Sequence, residues 1–355
     1  MKKIKILVRS ISFFVVVILL YQWCIKIVTP KSFTGDGFPT TSTYSDFYKL
    51  DKNTVDVIFL GSSNAVCGFI PLELFNKYGI SGYNLACEQQ NLFTSYYWLR
   101  EALRFQKPRT VVLDTAMLYL YDHEDLAASV EGLTRRSFDF MRWSPVKWKA
   151  VMNMSRTWES LSVKSFLFPM IAYHERWESI NLHDFRLDQL GRRSLWKGYL
   201  PLTRYAGVDG FVPIVEAQAY ESQIDAGNVF MLSYLDLIVA LCEENEIDLI
   251  LTMVPSTFDD AGKYRFLSEY ACERGITYID FNEKSVYEDS GLEFLIDCHD
   301  DAHCNLGGAL KVTDYIGKIV YERMGKSTGN VSEWEFFDVE YQKYIDEVVI
   351  EAYEW

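Results

Sequence analysis

The sequence predicts an α/β fold, a three-layer sandwich in which a mostly parallel sheet lies between helices and carries a helical insertion. Short apolar, β-branched runs alternate with longer stretches of helical spacing in both the first third and the last third of the chain. Alternation of this kind pairs strands in parallel, because each helical crossover returns the chain to the same end of the sheet. Between Asp122 and about Gly227 the alternation stops and tryptophans collect instead, which marks the insertion.

The chain opens with Lys2, Lys3, Lys5 and Arg9, followed by an uncharged run from Ile11 to Ile25. As a helix that run is roughly 22 Å long, short of the ~30 Å hydrocarbon core. If Arg9 and Lys26 snorkel, Ile6 to Val28 spans roughly 34 Å. Positive charge ahead of the run places the N-terminus in the cytoplasm and the rest outside. Trp23, Cys24, Ile25 and Lys26 make a poor leader-cleavage site, and Tyr21, Gln22 and Trp23 are too large for a lipoprotein signal. Residues 1–29 are therefore expected to stay as a single-pass anchor in the cell membrane, with an extracytoplasmic body. Residues 30–53, rich in Thr, Ser, Gly and Pro, read as a stalk.

An α/β domain is expected over 54–330. Val55 to Leu60 is a buried-strand run that ends in Gly61. Asn91 to Phe105 has helical spacing through Leu92, Tyr96, Leu99 and Leu103, and Lys107-Pro108 stops it before a second strand at Thr110 to Leu113. Alternation resumes with a helix at Val229 to Cys242, a strand at Ile247 to Val254, a helix at Ala261 to Cys272 and a strand at Ile276 to Ile279. Gly307 to Tyr321 is the last helix of the domain. The insertion, about 122–227, holds Trp143, Trp148, Trp158, Trp177 and Trp196 and reads as a helical subdomain or a cap over the C-terminal edge of the sheet, where α/β proteins place ligands. The acidic, aromatic tail 331–355 reads as an amphipathic helix packed on the body or on a partner.

A net charge of −14 argues against a general nucleic-acid binder, which needs a basic face to release counterions. No zinc spacing and no CxxC pair occurs among the seven cysteines, and no cofactor is implied. Cys298 and Cys304 are the pair to check first for a bridge. From Arg135 to Lys164, seven basic residues stand against Asp139 and Glu159, mixed with Trp143, Trp148 and Trp158. That stretch suits an anionic sugar polymer, anionic lipid headgroups or plain solvent equally.

The first strand runs into Gly61-Ser62-Ser63-Asn64. A serine on a tight strand-to-helix turn has its hydroxyl at the sheet edge and its N–H free for an oxyanion. A serine hydroxyl is a poor nucleophile until a base takes its proton. The best base lies far along the chain in Asp300-Asp301-Ala302-His303, where an acid three residues before a histidine can hold one ring nitrogen. Either motif alone has a plainer reading, Ser-Ser as a helix N-cap and Asp-x-x-His as a surface turn; both together in an α/β pattern point to a catalytic-type site. His174, in Tyr173-His174-Glu175-Arg176-Trp177, is a candidate for the substrate cleft or a structural histidine. His123, His183 and His299 show no partner pattern.

Gly-Ser-Ser after the first strand, with Asp300-x-x-His303-x-Asn305 before the last domain helix, resembles the first and last blocks of the SGNH (GDSL-like) hydrolase superfamily, whose sheet is flavodoxin-like. The resemblance covers roughly 55–115 and 245–322. Within the superfamily the chain looks most like the membrane-anchored group that includes the teichoic-acid D-alanylation protein D and the alginate O-acetylation proteins. That similarity implies Ser63 as nucleophile, Asp300 as orienting acid and His303 as general base. It also implies a membrane-bound O-acyltransferase as partner, and transfer of an acyl group, acetyl by this likeness, to a cell-surface polysaccharide or teichoic-acid-like glycan polymer. Two departures stand out. The second block's glycine is missing from Tyr83-Asn84-Leu85-Ala86-Cys87-Glu88-Gln89-Gln90, and Asp114-Thr115 replaces the third block's Gly-x-Asn-Asp. Asn84 or Gln90 is left to supply a side-chain donor, with Asn305 and His174 on the substrate side. The alternatives are an esterase or deacetylase with the same triad, and a non-catalytic glycan-binding accessory subunit.

Overall fold

Strand β1 (Val57–Leu60) is apolar at every position because every position is buried, as a central strand covered on both faces requires. β2 (Gly82–Asn84), β3 (Thr110–Asp114), β4 (Asp248–Met253) and β5 (Thr277–Asp280) complete the sheet in the order β2-β1-β3-β4-β5. Every neighbouring pair is parallel. The computed structural model describes residues 2–29, 40–119, 134–135, 137–158, 161–185 and 195–352. After β1 the chain adds β2 on one side and β3 on the other, so the crevice at the C-terminal ends of β1 and β3 is the switch point of the sheet.

Helices α1 (Lys2–Val28), α2 (Thr40–Phe47), α3 (Ser63–Gly68), α4 (Pro71–Tyr78) and α5 (Leu92–Ala102) precede the insertion. Asn91 starts α5 by accepting from the Thr94 N–H, and Pro108 lies just beyond its end. Within the insertion the longest helix is α6 (Pro145–Thr157), followed by short turns through 163–185. α7 (Val229–Glu244), α8 (Ala261–Arg274), α9 (Leu306–Met324) and α10 (Ser332–Glu347) follow. α4 packs against α9 and α10, while α5 packs against α7 and α6, which gives the two helical layers.

The tail closes an edge that the short β2 strand leaves open. Trp334 of α10 is fully buried, and its indole N–H donates to the Gly82 carbonyl at 2.9 Å, which satisfies an edge acceptor. Tyr341 donates its hydroxyl to Glu73 at 2.7 Å, and Lys197 pairs with Glu333 at 2.7 Å. The insertion's returning turn meets the same edge: the Asn84 N–H donates to the Lys197 carbonyl at 2.9 Å. Gly198 permits this approach, since a Cβ there would stand 1.9 Å from the Asn84 carbonyl oxygen.

Lys3–Val28 is long and apolar enough to cross a membrane, with a mean hydropathy of 2.2. Most of that helix is exposed, and only its last turn is buried. There Arg176 donates to the Val28 carbonyl at 2.6 Å, filling an acceptor that the helix end leaves free.

The basic stretch differs from its sequence reading. Arg135 is buried against Ser165, Asp139 and the Phe166 ring, and Lys147 is buried with its ammonium on the Met141 carbonyl at 2.8 Å. Burial pulls the Lys147 ammonium down to about 8. These cations hold the insertion together and are not offered to a polymer. Trp158 is buried as well, while Trp143 and Trp148 stay half-exposed as a tilted pair 6.0 Å apart.

Candidate active site

The turn that carries Ser63 is built where β1 must bend into α3 without a side chain in the way. Gly61 has φ +144°, and a Cβ there would stand 2.6 Å from the Cβ of Asp114 at the end of β3. The turn therefore requires glycine. Ser62 caps α3: its hydroxyl accepts from the Asn64 N–H at 3.3 Å and donates to Asp114 Oδ2 at 3.2 Å. This leaves Ser63, the first residue of α3, facing out of the sheet edge.

His303 reaches the turn from the far end of the chain. The Ser63 hydroxyl donates to His303 Nε2 at 2.8 Å across a sequence separation of 240 residues. His303 Nδ1 donates to Asp300, with both carboxylate oxygens at 2.8 Å. The N–H groups of Ala302 and His303 also donate to Asp300 Oδ1, at 3.0 and 2.9 Å. Partial burial pushes the Asp300 carboxyl up, but His303 and those two N–H groups outweigh it and hold the group down to about 2. Asp300 is thus ionised throughout the ordinary range, which fixes the imidazole with its proton on Nδ1 and its lone pair toward Ser63. The loop is tied to its surroundings by the Thr257 N–H, which donates to the Asp301 carbonyl at 2.8 Å.

A cavity of about 320 Å³ opens at this point. Ser62, Ser63, Asn64, Gln89 and His303 line one end, and Ala116, Met117, Tyr119, Met253 and Phe258 make its apolar wall. Asp259 and Lys263 also reach it. Burial and the neighbouring Asp280 push the Asp259 carboxyl well up. Among the described residues, none of the insertion lines this cavity. His123 lies outside the described residues, and nothing is described of the His183 side chain.

The four residues proposed from sequence for the substrate side are corrected by their hydrogen bonds. Asn84 is fully buried and donates to the Ala65 and Phe69 carbonyls at 2.8 and 3.0 Å. Gln90 donates to the Leu85 carbonyl and to Ser95, both at 3.1 Å, and accepts from Tyr44 at 2.7 Å. Asn305 caps α9 and donates to the Ile296 carbonyl at 2.6 Å. Each amide is spent on folding the chain. His174 is exposed beside the end of α1, with Nδ1 2.8 Å from the Ile171 carbonyl, and does not line the cavity.

Two residues that sequence reading passed over do line it. Asn64 follows the nucleophile directly, and Gln89 carries φ +51°, a left-handed conformation that favours glycine. The φ of a loop residue leaves no mark in composition.

No protein-family model matches the chain, and no curated protein does. Among solved structures, the chain is similar to a proposed lipolytic protein of the G-D-S-L family from Desulfitobacterium hafniense, at 13% identity and TM-score 0.36, over 75% of this chain and 99% of that one. It is similar to a GDSL-like lipase from Bacteroides thetaiotaomicron, at 11% identity and TM-score 0.37, over 79% of this chain and 100% of that one. A proposed acylhydrolase from Bacteroides fragilis gives 13% identity and TM-score 0.37, over 79% of this chain and 94% of that one. At such identities the chemistry of this site is read from its own atoms.

Proposed function

We propose that the chain moves acyl groups through a serine acyl-enzyme, and that it does so outside the membrane in which α1 anchors it. The observation that carries this is the unbroken relay from Ser63 through His303 to Asp300, opening on a cavity with an apolar wall. His303 Nε2 takes the Ser63 proton as Oγ attacks the ester carbonyl, and the tetrahedral oxyanion forms at the α3 end of the cavity. The Ser63 N–H, the Asn64 side chain and Gln89 are the groups we assign to face that oxyanion. Collapse expels the alcohol, which receives its proton from His303, and leaves the acyl group on Ser63. An acceptor hydroxyl then gives its proton to His303 and takes the acyl group as the bond to Ser63 Oγ breaks, and His303 returns that proton to Oγ.

The finer reading is transfer, with a hydroxyl of a cell-surface polysaccharide or teichoic-acid-like polymer as acceptor and a membrane-bound O-acyltransferase as the supplier of acyl groups. The position of α1 favours it, since an anchored site can meet a membrane-borne donor. Hydrolysis, with water as acceptor, is the second reading. The burial of Arg135 and Lys147 favours it, because part of the expected grip on an anionic polymer is turned inward.

The test uses the full chain in detergent and again in its native membrane. Labelling by a fluorophosphonate together with hydrolysis of p-nitrophenyl esters in detergent supports the esterase. Labelling with turnover only in the membrane supports the transferase. Folded protein that never labels, with a Ser63→Ala variant that still complements in cells, removes the acyl-enzyme altogether.

A further inference from the structure

Cys298 and Cys304 face each other at the base of the loop that carries Asp300 and His303, as an antiparallel bridge pair. Two backbone bonds define the pairing: the His299 N–H donates to the His303 carbonyl at 2.7 Å, and the Asn305 N–H donates to the Asp297 carbonyl at 2.9 Å. Both bonds flank the pair and neither belongs to it; the Cys298 N–H goes instead to the Phe294 carbonyl at 3.1 Å. This is the non-hydrogen-bonded position of an antiparallel ladder, where facing Cα atoms stand about 4.5 Å apart and their side chains are closest. A disulfide takes Cα separations of roughly 4.4–6.8 Å, so the backbone already has the spacing a bridge needs. Both residues are free thiols, buried to 3% and 0% exposure.

We propose that Cys298 and Cys304 are a redox site, closed as a disulfide in oxidising surroundings, and that the bridge clamps the loop that aims His303 at Ser63. The oxidant is a disulfide, either small or carried by a thiol oxidoreductase. One cysteine sulfur, as thiolate, attacks it, forming a mixed disulfide and releasing one thiol. The second cysteine then attacks the first, forming the Cys298–Cys304 bond and releasing the other thiol. Both S–H protons and both electrons end on the two released thiols, so the exchange balances. Burial disfavours the attacking thiolate, and oxidation therefore proceeds during folding or through local opening of the loop. Only the significance of the clamp rests on the acyl-enzyme reading; the bridge itself does not.

The experiment treats the full chain in detergent with oxidised glutathione or with dithiothreitol, alkylates free thiols under denaturing conditions and maps the peptides by mass spectrometry. After oxidation, the peptide holding both cysteines should be unalkylated and lighter by two hydrogens, and dithiothreitol should reverse this. A Cys67→Ser variant should keep the bridge. Amide exchange over 299–303 should slow about tenfold in the oxidised form, as the local opening is suppressed. Full alkylation after oxidation, a stable glutathione adduct, or a Cys67–Cys304 bridge would each overturn the proposal. Fluorophosphonate labelling is scored separately: a bridge without labelling keeps this site and removes the acyl-enzyme, and labelling without a bridge does the reverse.

Discussion

Ser62 donates its hydroxyl to Asp114 at 3.2 Å, which ties the turn that presents Ser63 to a carboxylate sealed in the protein interior. Burial pushes the Asp114 carboxyl from its ordinary 3.8 up to about 6, although the Ser62 hydroxyl and the N–H groups of Ser62, Ala116 and Val254 offset part of the shift. A folded value above the unfolded one means that folding takes up a proton between the two. The stabilising contribution is then complete below the unfolded value and lost as pH rises through about 6. Above that pH, holding the bare carboxylate costs about 2–3 kcal/mol. Asp114→Asn should therefore raise the unfolding free energy at pH 8 and flatten its fall between pH 4 and 6, measured by urea denaturation across pH. A variant as pH-sensitive as the parent would contradict this.

Asp300 runs the other way. Its folded value of about 2 lies below the ordinary one, so its contribution is present above the unfolded value and is lost as pH falls toward 2. Asp300→Asn should remove that acid-side sensitivity and also slow fluorophosphonate labelling at neutral pH. Ser63→Ala should abolish labelling, and His303→Ala should slow it about 10³-fold or more by removing the base. Circular dichroism of all three should match the parent. Labelling that survives Ser63→Ala would place the reactive hydroxyl elsewhere.

The oxyanion assignment rests on Asn64 and Gln89. Removing one preorganised donor costs about 10²–10³ in rate. Asn64→Ala and Gln89→Ala should each reduce the labelling rate by up to that factor without changing the thermal midpoint by more than a few degrees. If both variants label at the parent rate, their side chains do not face the developing charge.

Gly61 should tolerate no side chain. Gly61→Ala drives a Cβ to within 2.6 Å of the Asp114 Cβ at φ +144°, so the turn must move. A loss above about 2 kcal/mol is expected, together with loss of labelling. Gly275→Ala is the control. It also has positive φ, but nothing lies within 4 Å of its new Cβ, so only the backbone strain of about 1 kcal/mol should register in the same denaturation assay.

Trp334→Ala should cost about 3–5 kcal/mol, because a fully buried ring is deleted and the Gly82 carbonyl loses its donor. Trp334→Phe should restore part of the packing and none of the hydrogen bond. Chemical denaturation separates the two. A small effect of Trp334→Ala would mean that α10 is loosely docked on the β2 edge.

Much of this was legible in the sequence, for identifiable reasons. The helices at 92–102, 229–244 and 306–324 carry long periodic patterns and the strand at Val57–Leu60 an unbroken apolar run, and their bounds fall within a few residues of those expected. Ser63, Asp300 and His303 sit in short local motifs, so their meeting followed once the strand order placed both loops at one edge. β2 is only Gly82–Asn84, too short to alternate. Asn84, Gln90 and Asn305 were misassigned because an amide's role depends on which backbone groups folding leaves unpaired, and that is a property of the assembled chain. Arg135 and Lys147 illustrate the same limit for charge: a run of cations reads as a surface until the fold turns some of them inward.

The wide spacing of Ser63 from its base has a consequence for the nascent chain. At synthesis rates of about 5–20 residues per second, the serine emerges roughly tens of seconds before the histidine that would activate it. Over that interval every partly made copy carries an inert hydroxyl. It is switched on only when the second half of the sheet, β4 and β5, has been laid beside β3 and the loop after β5 has swung across. Ribosome-stalled or truncated products that end before Asp300 therefore hold Ser63 without His303, and on the acyl-enzyme reading such unfinished chains should not react with esters.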